Sequence, residues 1–361
     1  MKDYNQKHIL KTSKGLDITV YECQPDQFTD DIWQQYIELA QNLSMEYDPD
    51  SPPPPGEPLK QMMLDPSREW ELIRYLAFNS GTSQLIGRCV IYYPRPISPL
   101  YQESLSTADL QLDVDISHRR KGVATALLQV AAKKLAPMGR ADVQIIFSMP
   151  SAKAFFDRMG ARIISERAVN RLHMKDVDWD QMEEWTRNSR ALQEGVQLEF
   201  HDTIIPEKDL EEYCRVYTGC GRSVPDYQDG FVPEEQISPK SRRAAQERWK
   251  KHDRNCFILF SREPEGAISG LTECYHSKSS SHIAEQDLTG VLVPYRSRGI
   301  GKWLKAAMML YLRDEHPEVK LIDSFNANDN PSINTINTAM GYRKFRDQWL
   351  GKIDLSNKNK V

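Results

Sequence analysis

Apolar residues recur along this chain with two different periods, which together predict an alternation of strands and helices. A period of two residues is typical of strands. In the first half, strands are predicted at residues 16–23, 71–78, 84–93, 141–149 and 162–174. In the second half, they are predicted at residues 196–201, 256–261, 267–275, 319–325 and 343–355. Spacings of three and four residues predict helices between the strands, the first of them over residues 30–47.

Two segments of the chain resemble each other in this pattern. Residues 112–128 (LDVDISHRRKGVATALL) and residues 288–304 (LTGVLVPYRSRGIGKWL) each run from a strand through a short basic loop into a helix. The matching glycines, Gly122 and Gly299, are separated by close to half of the 361-residue chain. The order strand, loop, helix, strand, helix, glycine, strand also occurs twice. The sequence therefore predicts two copies of one α/β domain, at residues 1–178 and 195–361, joined by a polar linker at residues 179–194.

Composition and charge exclude several classes of protein. Apolar residues make up 40% of the chain and charged residues 27%, which argues against wholesale disorder. The formal net charge of −4 gives no positive field that would draw the protein to nucleic acid or to an anionic membrane. The apolar runs are far shorter than the ~20 residues of a membrane span, and the N-terminal residues have no apolar core of signal-peptide length. We therefore expect a cytoplasmic protein with neither a nucleic-acid nor a membrane partner.

The cysteines and histidines predict no metal site. The six cysteines form no CxxC pair, so we expect reduced thiols without a disulfide framework or a structural zinc site. His276 and His282 flank the hydroxyl-rich run SKSSS and are the best candidates for a pair of metal ligands. A third ligand does not follow at a suitable spacing in the sequence.

The two basic loops carry the candidate chemistry. In the second copy, residues 296–302 read RSRGIGK, and glycine there lets the backbone turn tightly and leaves N–H groups unobstructed. Free amides at a helix N-terminus form an anion site suited to a diphosphate, to which Arg296, Arg298 and Lys302 add charge. In the first copy, residues 119–124 read RRKGVA, with Ala124 at the last small position. A P-loop is excluded because no Gly-Lys-Ser/Thr closes either loop, and the first glycine of a dinucleotide fingerprint is absent.

With these loops, the chain resembles the GNAT superfamily of acyl-coenzyme A-dependent N-acyltransferases. The second half is the closer match, because residues 324–342 (SFNANDNPSINTINTAMGY) resemble tandem bacterial members related to mycothiol synthase. The resemblance covers nearly the whole chain. It implies, for each copy, a splayed mixed sheet of six or seven strands with helices on its faces, and coenzyme A lying in the split between two central strands.

The resemblance also implies the cofactor and its binding residues. In the family, the loop cradles the pyrophosphate of coenzyme A, so acetyl-coenzyme A is the expected co-substrate and no metal is required. In the second copy, the expected coenzyme A contacts are Val291, Val293, Arg296, Ser297, Arg298, Gly299, Ile300, Gly301, Lys302, Asn326, Asn330 and Asn334. In the first copy, they are Arg119, Lys121, Gly122, Val123 and Ala124.

A difference between the copies predicts which one is catalytic. Amide formation needs a general base, which family members often supply as a glutamate on the strand before the loop. Glu285 lies 14 positions before Gly299, whereas the matching position before Gly122 is Ala108. The second copy is therefore expected to be catalytic and the first a degenerate partner. Glu273, on the preceding strand, is a second candidate for the base.

The general acid stays open at the level of the sequence. The tyrosine that the family usually supplies is replaced by Phe156 in the first copy and Asn337 in the second. Asn337 could hydrogen-bond the thiol sulfur but cannot give up a proton. We expect an enzyme that acylates a primary amine of a small molecule, with an antibiotic or self-resistance substrate among the candidates, as a monomer or homodimer. Because both copies lack the tyrosine, the alternative is a non-catalytic coenzyme A-binding sensor or regulatory module.

Overall fold

The computed structural model describes residues 6–98, 100–102, 104–221, 237–327 and 330–356, without the side chain of residue 327. The chain divides into two compact units. Unit 1 consists of Met1–Ile164 and Trp349–Val361, and unit 2 of Ser165–Gln348. No helix in the described ranges combines the length and apolar character that a bilayer-spanning segment needs.

Unit 1 is a mixed sheet with helices on both faces. Its strands are β1 (Gln6–Lys11), β2 (Asp17–Glu22), β3 (Trp70–Asn79), β4 (Leu85–Pro94), β5 (Thr107–Val114), β6 (Asp142–Phe147) and the later part of β13 (Arg343–Asp354). Its helices are α1 (Asp30–Tyr47), α2 (Gly56–Leu64), α3 (Val123–Leu135) and α4 (Pro150–Arg158). The strand order is β1-β2-β3-β4-β5-β6-β13, antiparallel except for the parallel β5–β6 pair.

Unit 2 repeats this architecture. Its strands are β7 (Arg162–His173, from Ser165 onward), β8 (Gln197–Asp202), β9 (Arg254–Arg262), β10 (Ile268–Ser277), β11 (Ile283–Val291) and β12 (Leu321–Ala327). Its helices are α5 (Trp179–Arg187), α6 (Arg190–Gln193), α7 (Glu207–Gly221), α8 (Pro239–Lys251), α9 (Ile300–Glu315) and α10 (Pro331–Met340). The strand order is β8-β9-β10-β11-β12-β7, and only β11 and β12 are parallel. The predicted fold class is confirmed.

The core of unit 2 lies on both faces of its sheet. Alternate residues of a strand point to opposite faces, so Phe257 packs with α9 while Cys256 and Ile258 pack with α7. Helix α9 buries an apolar stripe that includes Leu304 and Met308. The sheet is therefore covered on both sides, and a ligand has access mainly where strands part or a loop lies open.

The compact units do not coincide with residues 1–178 and 195–361. Strand β7 pairs with β12 in unit 2, from Leu321↔His173 to Ala327↔Arg167. The later part of β13 pairs with β6 in unit 1, from Trp349↔Phe147 to Asp354↔Asp142. Each sequence half thus supplies its last strand to the other unit. Residues 179–194, predicted as a linker, form α5 and α6, which bury Met182 and Ala191 in the core of unit 2.

Candidate active site

Two neighbouring strands part in the middle of each unit. In unit 2, the parallel pairing runs from Ile283↔Leu321 to Gln286↔Ser324 and then ends, although β11 continues to Val291 and β12 to Ala327. In unit 1, the β5–β6 pairing ends at Asp109↔Gln144, although β5 continues to Val114. Each sheet is therefore splayed, and backbone N–H and C=O groups beyond the last pair are left without a partner strand on that side.

The loop after β11 has the backbone that the basic motif predicts. Ser297 (φ 64°) and Gly299 (φ 81°) are both in the left-handed region, and Gly299 is the N-cap of α9. No side chain of the described residues caps this helix. The first-turn N–H groups of α9 are therefore available to an anion, which the helix dipole also favours.

The loop after β5 repeats this conformation. Arg120 (φ 61°) and Gly122 (φ 84°) are left-handed, and α3 begins at Val123. The first arginine of each loop also plays one shared role. Arg119 Nε donates to Val114 O at 3.1 Å, and Arg296 Nε donates to Val291 O at 2.9 Å. The repeat identified in the sequence therefore extends to a repeated loop geometry.

The charges of the unit 2 loop divide into anchoring and free groups. The Arg298 guanidinium pairs with both oxygens of Glu263 at 2.9 Å and also with Glu194. This side chain anchors the loop, so the structure does not support the expected phosphate contact of its guanidinium. The terminal nitrogens of Arg296 make no hydrogen bond to any residue that the structure describes. Lys302 is exposed, with its Nζ 4.8 Å from the centre of the Trp185 ring.

The loop of unit 1 is more obstructed. Both terminal nitrogens of Arg119 bind the carboxylate of Glu46 on α1. A Cβ placed on Gly122 would lie 2.9 Å from Thr12 Cβ and 3.0 Å from Ser13 Oγ. On Gly299, by contrast, it would approach Ser189 Oγ at 3.9 Å. Unit 1 therefore neutralises one loop charge internally and packs its β1–β2 turn against the glycine, while Lys121 stays exposed.

Gly301 marks the place where three elements of unit 2 meet. A Cβ on this residue would lie 3.7 Å from Val291 Cγ2 and 3.9 Å from Ile336 Cδ1. The end of β11, the first turn of α9 and the middle of α10 therefore face the same space. Ile300 is buried and offers only its backbone to a ligand, whereas Val293 is 67% exposed in the preceding turn.

The predicted acidic residues have different surroundings. The Glu285 side chain is 52% exposed and pairs with Arg254 at 3.3 Å. Desolvation by the surrounding protein raises its pKa, Arg254 opposes that shift, and Asp287 adds to it. Glu273 is fully buried, accepts a hydrogen bond from Tyr275 Oη at 3.2 Å, and has a pKa raised well above its ordinary value by burial. Its carboxylate also faces the buried Arg242 guanidinium at 3.4 Å, so of the two predicted glutamates the partly exposed Glu285 is the better candidate for the base.

Asp287 is a further acidic residue of the site that the sequence pattern did not identify. It lies two residues after Glu285, and Tyr217 Oη donates to it at 3.4 Å. The β10–β11 register shifts between Thr272 and Cys274, next to Asp287 and just beyond the last β11–β12 pair. Desolvation by the surrounding protein raises the pKa of Asp287, although the residue is exposed. The spacing of two between Glu285 and Asp287 on one strand was the signal that could have identified the pair.

Lys305 was also missed. It is fully buried on α9, its Nζ has no hydrogen-bond partner among the described residues, and the centre of the Tyr342 ring is 5.3 Å away. Burial lowers the pKa of Lys305 to about 7. Asn337, on α10, is 3% exposed, and both of its amide atoms are without a described partner. Buried polar groups without a hydrogen-bond partner are rare in native proteins. The sequence signal that could have identified Lys305 was a lysine within the apolar run WLKAAMML, four residues after Gly301.

The other asparagines have local partners. Asn330 is the N-cap of α10, and Pro331 follows it at the first helical position, as the sequence suggests. Asn326 Nδ2 donates to Ser324 Oγ at 3.1 Å. Asn334 is half-buried on α10. Asn328 and Asp329 of the same segment lie outside the described residues.

Comparison with known proteins identifies the fold. No family model matches the chain, and no curated protein matches its sequence. A tandem GNAT protein from the clavulanic acid biosynthesis pathway matches with a TM-score of 0.75 at 19% identity, over 94% of this chain and 99% of that one. A GCN5-related N-acetyltransferase from Sphaerobacter thermophilus gives 0.62 at 15% identity, over 94% and 96%. A glucosamine N-acetyltransferase region of a fungal multi-domain β-N-acetylglucosaminidase gives 0.63 at 15%, over 94% of this chain and 38% of that one. The fold is that of tandem GNAT proteins.

Proposed function

We propose that this protein is an N-acyltransferase that transfers an acyl group, with acetyl as the first choice, from coenzyme A to a primary amine of a small molecule. Unit 2 is the proposed reactive unit. One observation carries the proposal. Strand β11 parts from β12 after Gln286, and the next loop leads into the uncapped start of α9 at Gly299. Such an arrangement offers free backbone groups to an extended amide-bearing chain and a positive helix end to a diphosphate.

The residues of unit 2 fit coenzyme A. The diphosphate would bind at the amides of residues 299–302, with Arg296 and Lys302 as the cations whose terminal nitrogens make no hydrogen bond to a described residue. The pantetheine chain would follow β11, past the space that Gly301 leaves between Val291 and Ile336. The buried amide of Asn337, which has no hydrogen-bond partner among the described residues, supplies a donor and an acceptor deeper in the unit. Coenzyme A itself supplies the activated thioester.

Glu285 is assigned as the general base. Its raised pKa makes the carboxylate a better proton acceptor than an ordinary glutamate. It takes the proton that the amine must lose. The amine nitrogen then attacks the carbonyl carbon, and the bond from that carbon to sulfur breaks. Asp287 beside it raises the Glu285 pKa further and adds negative charge to attract an ammonium group.

Lys305 is assigned to the leaving group in place of the missing tyrosine. A lysine with a pKa of about 7 can give its proton to a thiolate whose conjugate thiol has a pKa near ~8.5. In its charged form, the same ammonium group would stabilise the thiolate as it forms. Asn337 is the second donor available to sulfur.

The acceptor is assigned to small molecules. Two of the matching structures are named for the clavulanic acid pathway and for glucosamine N-acetylation. An antibiotic or self-resistance substrate belongs to the same class, and the asparagine-rich segment supports a place near the tandem members related to mycothiol synthase.

Thiol release from acetyl-coenzyme A with a panel of amines tests the proposal. We expect amine-dependent turnover that Arg296→Ala weakens at least tenfold in kcat/KM. Arg313→Ala, which removes an equal charge from the far end of α9, is the matched control. Tight coenzyme A binding by calorimetry without transfer to any amine would contradict the enzymatic function and support a coenzyme A-binding sensor. Absence of coenzyme A binding would contradict both functions.

A further inference from the structure

Two carboxylates to which acyl transfer assigns no role hold the loop that leads into α9. Arg298 Nη1 donates to both carboxylate oxygens of Glu263 at 2.9 Å, and Arg298 Nε donates to Glu194 Oε2. Glu263 begins the turn between β9 and β10, and Glu194 follows α6. Glu263 and Glu194 therefore form an acidic clamp that ties the loop to two separate elements of unit 2.

Both partners in the acidic clamp are fixed by their own surroundings. Glu263 is 5% exposed. Glu194 also accepts a hydrogen bond from Arg190 Nε at 2.7 Å, so its carboxylate is held from a second side. The loop backbone is tied to the same helix, because Ala191 N donates to Arg298 O at 3.3 Å. The acidic clamp is therefore in place before the loop meets a ligand.

The residue that the clamp holds lies at the tightest part of the loop. Arg298 stands between Ser297 (φ 64°) and Gly299 (φ 81°), which are both left-handed. Glycine adopts this conformation readily, whereas a serine in it costs free energy. Such a conformation persists where the surrounding structure determines it. The same turn sets where the first N–H groups of α9 point, so a restraint on Arg298 also orders the proposed diphosphate site.

The loop of unit 1 is held through a different arginine. There the anchoring residue is Arg119, paired with Glu46, and the position that matches Arg298 is the exposed Lys121. In unit 2 the anchor lies two positions later in the motif. The first arginine of that loop, Arg296, therefore keeps its terminal nitrogens without a hydrogen bond to any described residue.

The turn that supplies Glu263 also differs between the units. Residues 263–267 (EPEGA) join β9 to β10 and include two glutamates. Residues 80–84 (SGTSQ) join β3 to β4 in unit 1 and include no acidic residue. The acidic clamp is thus a feature of the unit that is proposed to react.

We propose that Glu263 and Glu194 are positioning residues, which hold residues 296–301 in the form that binds the diphosphate of coenzyme A. This inference rests on the proposed function of unit 2. Charge alone predicts the opposite effect of these residues, because carboxylates beside an anion site repel a diphosphate, and removing one should then tighten binding. A positioning role predicts weaker binding, because the ligand itself then has to order the loop.

Calorimetry of coenzyme A binding to the full chain measures the direction of this change. We expect Glu263→Gln to raise the Kd about fivefold or more, as loss of a charge-assisted hydrogen bond would. The KM for acetyl-coenzyme A should rise with it, at nearly unchanged kcat. Glu194→Gln should shift the Kd in the same direction by a smaller factor, and its partly exposed position makes misfolding no concern. Glu265→Gln is the matched control, since it removes an equal charge from an exposed position of the same turn.

Hydrogen–deuterium exchange of the free protein tests the same loop without a ligand. The amides of residues 296–301 should exchange faster in Glu263→Gln than in the wild type or in Glu265→Gln. A double variant with Arg298→Met and Glu263→Gln should lose no more coenzyme A affinity than Arg298→Met alone, because the two side chains act as one unit.

Tighter or unchanged coenzyme A binding in Glu263→Gln, or unchanged exchange of the loop amides, would overturn this inference and leave the proposed function intact. An equal loss of affinity in Glu265→Gln would also overturn it, because the effect would then not be specific to the acidic clamp. Absence of coenzyme A binding by the wild type would overturn the proposed function and this inference together.

Discussion

At the scale of single residues, Glu285 and Asp287 divide one task in the proposed mechanism. If Glu285 is the base, Glu285→Gln should lower kcat by about 10²-fold or more, in the range typical of general-base removal. Because the base must be ionised, wild-type turnover should rise with pH through the raised pKa of Glu285. Asp287→Asn removes a like charge, so it should shift this rise to lower pH with a smaller loss of kcat. Steady-state kinetics from pH 5 to 9 measure both effects. A larger loss in Asp287→Asn than in Glu285→Gln would exchange the two roles.

Lys305 allows a residue-scale prediction about stability. In the folded chain its pKa is about 7, whereas a lysine in an unfolded chain holds its proton to about 10.4. Between these values the unfolded state binds more protons, so the contribution of Lys305 to the free energy of unfolding rises with pH, by about 1.4 kcal/mol per pH unit. Lys305→Met should therefore stabilise the protein at pH 7, and the gain should shrink towards pH 9.

Urea unfolding of wild type and Lys305→Met at pH 7, 8 and 9 measures this difference, in which the titration of other groups cancels. Lys302→Met is the control, because it removes the same side chain from an exposed position of the same helix. A gain from Lys305→Met that stays constant with pH would show that the amine is not held neutral.

At the scale of elements, the sequence predicted the strand–loop–helix units well, and the reasons are local. The glycines at 122 and 299 occupy the left-handed positions that favour glycine, and the strand and helix periods on either side are short-range signals. The partners of the loop arginines were not predictable. Glu46 and Glu263 lie far from the loops in sequence, so their pairing with Arg119 and Arg298 depends on the tertiary fold.

Gly301 gives the element-scale prediction. Alanine adds a Cβ at ordinary contact distance from Val291 and Ile336, so Gly301→Ala should bind acetyl-coenzyme A almost normally. The two further methyl groups of valine would extend into the proposed path of the cofactor. Gly301→Val should raise the KM for acetyl-coenzyme A at least tenfold with a smaller change in kcat.

The corresponding change in unit 1 tests the division of labour between the two loops. Ala124→Val should cost stability or coenzyme A occupancy of unit 1, with far less effect on turnover. Steady-state kinetics and binding stoichiometry distinguish these outcomes. Equal losses of turnover from Gly301→Val and Ala124→Val would show that both loops serve reacting sites.

At the scale of the whole molecule, duplication could be predicted, but the exchange of strands could not. A strand such as β7 carries the same alternation in whichever sheet it joins, so sequence pattern does not identify its partner. Its place in unit 2 is set by contacts far apart in the chain. Among them is the buried pair of Arg171 on β7 and Asp323 on β12, joined by two hydrogen bonds of 2.7 and 2.8 Å.

This exchange predicts how fragments of the chain behave. Residues 195–361 alone lack β7, which leaves the β12 edge and the Asp323 carboxylate without partners. They also lack Met182 and Ala191, two fully buried residues of the unit 2 core. An unpaired inner strand edge promotes aggregation, and an unpaired buried charge costs about 3–5 kcal/mol.

Expressed alone, residues 195–361 should be largely insoluble, whereas residues 165–348, which match unit 2, should be more soluble. Co-expression of residues 1–194 with 195–361 should restore a soluble complex. Size-exclusion chromatography of the three preparations measures this, and a stable monomer of residues 195–361 would show that β7 is dispensable to unit 2.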